Sequence, residues 1–411
     1  MSTAAGQVRT AYLVSQYPKL SHAFIEREIR ALREGGAVVR TFSVRPTPDS
    51  ELLSQRDRDE AATTGVLLES PARLLTAQAP LLAKSPGAWG RSLLRALRTG
   101  APTLRSRVWQ VFYALEAGVL VQRMHESGLR HVHVHLANNG ADVARLAVPL
   151  GREVYGGEWS WSLAMHGPTE FSDVTGYDLA AKVRAASFVA CITDYCRSQL
   201  MAIVDPTHWA KLGLVRMSVD ADRFAVEARD PSEGRPLRVL FVGRLVPEKG
   251  PQVLLDAVAA LPHGSVEVRV VGDGPLREQL QQAVDAAGLA DRVELVGPLG
   301  QDSLPEQYAW ADVFCLPSFA EGLPVVLMEA LAAGCTVVTT QIAGIPELVE
   351  HDVTGLLIAP GRADALAAAL LRVRGDGDLR DRLTAAGAQR VRATYSPQGN
   401  ARALLDLLPR S

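Results

Sequence analysis

The chain has 411 residues, enough for two or three domains at about 100–200 residues each. Lys plus Arg total 43 against 45 for Asp plus Glu, and a net charge of −2 excludes a broad basic field for nucleic acid. A 47% hydrophobic, 21% charged composition excludes a mainly disordered chain, and without a run of eighteen apolar residues no spanning helix is expected.

The first residues, MSTAAGQVRTAYLVSQYPKL, lack the apolar core of a secretory leader, so a cytoplasmic location is expected. Four cysteines in a chain this long do not make a disulfide framework, and Cys191 and Cys196 are too far apart for a CxxC zinc pair. They read as buried thiols in a reducing compartment.

An apolar run over Val8–Val14 reads as a strand, followed by a helix from about Ser21 to Arg33 that Gly35 and Gly36 stop. A β-branched run over Val38–Val44 completes a βαβ unit, which implies a parallel sheet. Residues Pro71–Arg130 hold nine basic and two acidic residues among leucines and aromatics. Two readings stand for this stretch, about 71–130. It is a helical insertion with a solvated basic face packed on the first domain, or a surface for anionic lipid. Further strands are predicted at His131–His135, Ser162–Met165, Ser187–Thr193 and Leu214–Met217. His131, His133 and His135 would share one face of a half-buried strand, an alternation that looks like a metal ladder but reads better as structure.

Asp222–Pro236, with two prolines and a glycine, suits a linker. Beyond it Leu237–Gly243, Val266–Gly272, Val293–Gly297, Asp312–Leu316, Thr336–Thr340 and Gly355–Ile358 read as strands separated by helices. Near-continuous apolar strands alternating with helices indicate a doubly wound sheet. The predicted organisation is a first domain over 1–222, a linker at 223–236, a second domain over 237–393 and a terminal helix at 394–411 that crosses back to the first. Two such domains would face each other across a cleft.

The densest chemical signal is SFAEGLPVVLMEALAAGCTVV, Ser318–Val338. Pro324 suits the first position of a helix that runs to Ala333 and is capped by Gly334. The free N–H groups and dipole of its first turn make an anion site, most naturally for phosphate. Glu321 precedes the helix, and Glu329 reads either as a hydroxyl-binding carboxylate or as a solvated helix charge. In VLFVGRLVPEKGP, Arg244 and Lys249 follow Gly243 at a strand's carboxyl end, where two cations would neutralise a departing diphosphate. Lys249 would sit in the first turn of the next helix, where a cation opposes the dipole. VVGDGPLREQL, with Gly272 and Gly274, is a weak partial dinucleotide fingerprint. In LAMHGPTEF, His166 follows a strand and reads either as a structural histidine or as one that could hydrogen-bond a sugar hydroxyl or a phosphate oxygen. Asp376-Gly377-Asp378 spells a carboxylate pair but reads as a turn between helices.

Glu321 and Glu329 in AEGLPVVLMEALAAG, Arg244 and Lys249 in FVGRLVPEKG, and the AGIPELV and TGLLI segments occur in a shared order. Together they resemble the retaining glycosyltransferases of family 4, with the two-domain GT-B fold. SQYPKLSHAFIEREIRALREGG and HVHVHLANNGADVARLA resemble a narrower group, the bacterial exopolysaccharide and colanic-acid-type enzymes. Tyr17-Pro18-Lys19-Leu20-Ser21-His22 stands where many relatives carry paired glycines, which makes the acceptor side less defined.

The resemblance implies roles. Arg244 and Lys249 hold the donor diphosphate, Glu321 lies under the donor sugar, and His166 contacts that sugar near its sixth carbon. Gly322, Leu323, Pro324, Val325 and Val326 offer backbone to sugar and phosphate. Glu329 holds the ribose, with Gly243, Gly272 and Gly274 nearby. Ser21, His22, Asn138 and Asn139 line the acceptor side. No cofactor or metal is expected, since the nucleotide sugar is a substrate and Arg, Lys and the helix end supply positive charge. The implied reaction moves a hexosyl unit with retention from a nucleotide diphosphate sugar, most naturally UDP-linked, to an acceptor. That acceptor is a lipid-linked glycan in exopolysaccharide assembly, met at the cytoplasmic membrane face, or a small natural product. A non-catalytic assembly subunit and a nucleotide-sugar epimerase of similar fold are the competing classes.

Overall fold

Short β-branched segments alternating with amphipathic helices cannot pair as hairpins, so each return passes through a helix and the strands run parallel. The computed structural model describes residues 6–19, 22–52, 54–100, 103–226 and 234–410 and contains two such sheets. Residues 1–216 with 400–411 form one compact unit, and residues 217–399 form the other.

The first unit holds β1 (Arg9–Gln16), β2 (Val38–Arg45), β3 (Gly65–Val66), β4 (His131–His135), β5 (Ser160–Met165), β6 (Val189–Cys191) and β7 (Leu212–Leu214). Their spatial order is β3-β2-β1-β4-β5-β6-β7, with every pair parallel. The expected strand at Leu214–Met217 is displaced: β7 ends at Leu214, and one further bond, Val215 N to Cys191 O at 2.9 Å, is the last before the chain leaves the sheet. Helix Ala23–Glu34 ends as expected, with Gly36 at φ +87° beyond the cap at Gly35.

Alternation sends Ala11, Leu13, Val132 and Val134 into one core and Tyr12 and Val14 into a second with Ile25, Ile29, Ala401, Leu404 and Leu408. β4 lies between β1 and β5, and all five of its residues are buried, so it is not the half-buried strand its sequence suggests. His131, His133 and His135 alternate with Val132 and Val134 along β4.

The 71–126 stretch is helical: Pro71–Thr76, Gln78–Lys84, Pro86–Leu97 and Leu104–Glu126. It contributes Leu74, Leu81, Ala88, Ala96 and Ala114 to the first core. Buried Gln78 ties it together. Its Nε2 donates to the carbonyls of Leu74 (2.8 Å) and Leu115 (3.0 Å), and its Oε1 accepts from Trp89 Nε1 (3.2 Å). Among the described residues no helix is long and apolar enough to cross a membrane.

The second unit holds β8 (Leu237–Val242), β9 (Val266–Val271), β10 (Val293–Gly297), β11 (Val313–Leu316), β12 (Thr336–Thr340) and β13 (Leu356–Ile358). Their order is β10-β9-β8-β11-β12-β13, again all parallel. Both sheets therefore reverse direction once, between β1 and β4 and between β8 and β11. In open α/β sheets ligands bind at the carboxyl ends of the strands at such a reversal.

Gln78→Ala leaves the Leu115 carbonyl and the Trp89 N–H without their partner. It is expected to destabilise the helical stretch by about 2–4 kcal/mol. Amide exchange should accelerate in residues 104–126 while β8–β12 remain unchanged; equal protection in variant and parent would refute the role given to Gln78.

Candidate functional site

In the second unit the loops after β8 and β11 meet at the reversal. Phe319 N donates to Glu248 O at 2.7 Å and joins them. Gly272 has φ +142°, and a Cβ there would lie 1.9 Å from the Gly243 carbonyl oxygen; at Gly274 (φ +158°) it would lie 2.5 Å from that of Leu245. Both glycines thus have a packing reason, because the loop after β9 rests on the backbone of the loop after β8.

Lys249 is not on a helix, as its sequence position suggested. It ends a 3₁₀ turn, Pro247–Lys249, and Gly250 in the left-handed region separates it from helix Pro251–Ala259. The supposed clash with a helix dipole therefore does not arise. Its Nζ lies 2.6 Å from Glu321 Oε1, which also accepts from Ser318 Oγ at 2.7 Å. Glu321 is buried at 6% exposure, and a buried carboxylate needs such partners. Arg244, on the same loop, is exposed, and its guanidinium makes no hydrogen bond among the described residues.

Pro324 is the cap of the next helix, not its first residue. The helix spans Val325–Ala332, and Gly334 adopts φ +70° after it. Gly322, Leu323 and Pro324 lead into its amino end, whose first N–H groups lack intrahelical partners. Glu329 is buried at 2% exposure, which removes the reading as a solvated charge. Its Oε2 accepts from Tyr308 Oη at 2.9 Å. Burial, with Glu329 beside it, holds the Tyr308 phenol well above its ordinary pKa. One reversal point thus collects two cations, a buried carboxylate and a helix amino end, a set suited to a diphosphate joined to a hydroxylated group.

In the first unit, His166, His22, Asn138 and Asn139 lie at the carboxyl ends of β1, β4 and β5, and Ser21 lies outside the described residues. Asn138 caps helix Asn139–Tyr155, accepting from Gly140 N at 3.1 Å, and Asn139 Oδ1 accepts from Ser15 Oγ at 2.6 Å. His22 Nδ1 is 3.2 Å from Gln16 O, and burial lowers its pKa to about 4. His166 Nε2 is 3.0 Å from His135 Nδ1, and burial, with His135 beside it, lowers its pKa to about 3.

Ser162 Oγ lies 2.9 Å from His131 Nε2 and 2.7 Å from His133 Nδ1, while His135 Nε2 is 2.9 Å from Glu28 Oε1. Glu28, His133 and His135 bring ligand-type atoms within 4.8 Å of one another, but hydrogen bonds already engage Glu28 and His135. Among the described residues, none partners the buried His133 Nε2.

Sequence reasoning missed Ser318, Tyr308, Tyr12 and Glu28. Ser318 stands inside the densest motif, whereas nothing local marks Tyr308 as the partner of a glutamate 21 positions on. Asp376 is a helix cap whose carboxylate accepts from Leu379 N at 2.9 Å, and all four cysteines are buried and free.

The family model for glycosyl transferases group 1 matches residues 223–390. The amylovoran biosynthesis glycosyltransferase AmsK of Erwinia amylovora is 38% identical over 209 residues, 49% of this chain and about half (51%) of that protein. The 2-deoxystreptamine glucosyltransferase of Streptomyces kanamyceticus is 30% identical over 315 residues, 69% of this chain and 80% of that one. Among solved structures, Anabaena Alr3699/HepE in complex with UDP-glucose matches with TM-score 0.72 at 19% identity, covering 97% of this chain and 99% of that chain. That likeness establishes the fold, two Rossmann-like GT-B domains. With four-fifths of a curated relative spanned and the family model seated on the second unit, the chain belongs to the group 1 glycosyltransferases.

Proposed function

We propose that this chain is a retaining, metal-independent hexosyltransferase that takes its sugar from a UDP-sugar. The observation that carries this reading is the meeting of Lys249, Arg244, Glu321 and the amino end of helix Val325–Ala332 at the β8/β11 reversal. A diphosphate leaving group gains negative charge as its bond to the sugar breaks. Arg244 as a fork, Lys249 as a point charge and the helix N–H groups answer that charge in fixed positions. Those cations supply what a divalent ion would otherwise supply. Glu321 lies under the sugar, where its carboxylate takes hydroxyls and faces the charge developing on the ring. Glu329, held by Tyr308, takes the ribose hydroxyls, and Gly243, Gly272 and Gly274 bring backbone to the nucleoside. His166 is assigned to the sugar in this reading. Attack occurs on the face the diphosphate leaves, and a donor phosphate oxygen takes the acceptor proton.

The acceptor is a lipid-linked glycan in exopolysaccharide assembly, reached at the cytoplasmic membrane surface. Ser21, His22, Asn138 and Asn139 belong to that side. The helical stretch supports the reading: Leu104, Val108, Trp109 and Phe112 are 82%, 49%, 43% and 45% exposed along one helix, beside Arg105 and Arg107. The basic surface is narrower than its composition suggests, because Arg91 and Arg95 pair with Glu153, and Arg73 and Arg123 with Glu69. A second reading, a small natural-product acceptor, draws support from the relative named for 2-deoxystreptamine.

The decisive test begins with thermal unfolding in EDTA with UDP, GDP, ADP and their sugar conjugates. A ligand at 100 times its Kd should stabilise by about 2.7 kcal/mol. Stabilisation by UDP and one UDP-sugar, followed by formation of an α-linked product from an α-linked donor, is the expected result. Epimerised donor without acceptor, or no nucleotide binding, refutes the reading.

Lys249→Ala should lower turnover by roughly 10²–10³-fold. Turnover within a few fold of the parent would remove Lys249 from leaving-group stabilisation.

Leu104→Ser with Trp109→Ser should weaken partitioning onto phosphatidylglycerol vesicles by about tenfold and leave UDP binding unchanged. These positions are exposed, whereas deleting residues 74–111 would remove core residues such as Leu81 and Ala88. Unchanged partitioning, with transfer to a soluble aminocyclitol, would favour the small-acceptor reading.

A further inference from the structure

The three histidines of β4 are not equivalent. Both ring nitrogens of His131 are engaged, Nδ1 by Ser160 Oγ at 2.8 Å and Nε2 by Ser162 Oγ at 2.9 Å. His133 has Nδ1 at 2.7 Å from Ser162 Oγ, and its buried Nε2 meets no partner among the described residues. A buried polar atom in that state is costly, and an ion or a water is what ordinarily answers it. His133 is one of three members of a cluster: ligand-type atoms of Glu28, His133 and His135 lie within 4.8 Å of one another. All three residues are at most 8% exposed. With Nδ1 taken by Ser162, Nε2 is the atom that His133 can offer.

Two imidazoles and a carboxylate are the ligand set of three-ligand zinc sites, which keep a fourth position open. Ligand atoms around a tetrahedral zinc stand about 3.3 Å apart. His135 Nε2 and Glu28 Oε1 are 2.9 Å apart and no spacing in the cluster exceeds 4.8 Å, so side-chain shifts of about 1 Å reach that geometry. Each ligand also has the outer partner that fixes a ring or carboxylate in such sites. Ser162 of β5 takes His133 Nδ1, His166 Nε2 lies 3.0 Å from His135 Nδ1, and Tyr12 of β1 donates to Glu28 Oε1 at 2.7 Å. Ser162 Oγ can accept from His133 and donate to His131, which leaves His133 Nε2 a bare lone pair. Burial, with His135 beside each, holds His133 and His166 well below the ordinary imidazole pKa, so both are neutral. The Glu28–His135 hydrogen bond is no obstacle, because a proton and a metal compete for the same lone pair. As an imidazolium, His135 donates one N–H to Glu28 and the other to neutral His166. Binding exchanges the Nε2 proton, which leaves to solvent, for a bond to the metal, and the Nδ1–H stays on His166.

We propose that Glu28, His133 and His135 form a structural site for a borderline divalent metal, Zn²⁺ or its mimic Co²⁺, inside the first unit. The alternation of histidines along β4 pointed to the wrong three residues. His131 is an outer member, and the third ligand comes from helix Ala23–Glu34, far away in sequence. The metal ties that helix to the strand in the middle of the sheet. It takes no part in the transfer proposed above, where Arg244 and Lys249 answer the charge of the leaving group.

The test uses tag-free full-length protein, stripped with EDTA, dialysed and titrated with Co²⁺ and then with Zn²⁺. Visible absorption of Co²⁺ bound by nitrogen and oxygen should saturate at one ion per chain and be bleached by Zn²⁺. His133→Phe, which puts one buried ring in place of another, should abolish that absorption. Glu28→Gln should weaken Co²⁺ binding by about tenfold or more. His351→Gln, which alters an exposed histidine beside Asp352, should leave it unchanged. A second readout needs no variant: Zn²⁺ should slow amide exchange in residues 23–34 and 131–135 of the parent and leave β8–β12 unaltered. Absorption that appears only at millimolar Co²⁺, or that persists in a folded His133→Phe, overturns the site. So does Zn²⁺ protection that spares residues 23–34 and 131–135. The orphan nitrogen of His133 then faces a water only. The transferase reading is tested separately, by UDP stabilisation and transfer in EDTA. Their failure would overturn that reading, while the Co²⁺ spectrum alone decides the metal site.

Discussion

A parallel sheet that reverses its strand order must contain two neighbouring strands whose following chains depart to opposite sides. Nothing then covers the carboxyl ends of that pair, and the loops there are free to carry chemistry. In the second unit the pair is β8 and β11, and the loops are those of Lys249 and Glu321. Their ion pair joins the two diverging segments and gives a buried carboxylate its counter-charge. The same constraint acts in the first unit, where β1 and β4 are the pair and the Ser15–Asn139 hydrogen bond joins them.

Both units use one device to satisfy a buried carboxyl group. Tyr12 donates to Glu28, and Tyr308 donates to Glu329. In each case the phenol is buried and held well above its ordinary pKa, so it stays protonated and able to donate to the carboxyl group. A fixed donor leaves the other lone pairs of the carboxylate for other partners and spares it reorganisation. This couples the depth of the core to the precision of the loops above it.

Much of this was legible in the sequence, for identifiable reasons. Strands such as Leu237–Val242 are near-continuously apolar because helices cover both faces, and that pattern survives in a single chain. Arg244 and Lys249 stand out because they follow a near-continuous apolar strand, and Glu321 and Glu329 because they stand before and within an otherwise apolar helix. What stayed hidden depends on residues far apart along the chain. Gly250 takes Lys249 off the helix through a left-handed backbone that local spacing does not encode. The burial of Glu329 follows from Tyr308 on a different element. The histidines of β4 alternate as an exposed strand would. Yet strands flank β4 on both sides, and its second face is filled by Tyr12, Glu28, Ser162 and Phe188. Periodicity reports which residues share a face; it does not report what lies against that face.

One topological detail bears on the order in which the protein can be made. Ala401, Leu404 and Leu408 pack with Tyr12, Ile25 and Ile29, and Val8 bridges Arg410, so residues 400–411 complete a core whose other members are synthesised first. At about 5–20 residues per second the ribosome needs roughly 10–40 s to translate residues 217–399 in between. Throughout that interval the nascent first unit carries an apolar face without its cover. The second unit is continuous in sequence and has everything it needs once residue 399 has emerged. The part of the chain that leaves the ribosome first is therefore the last to finish folding, and it is the segment a chaperone would have to shield.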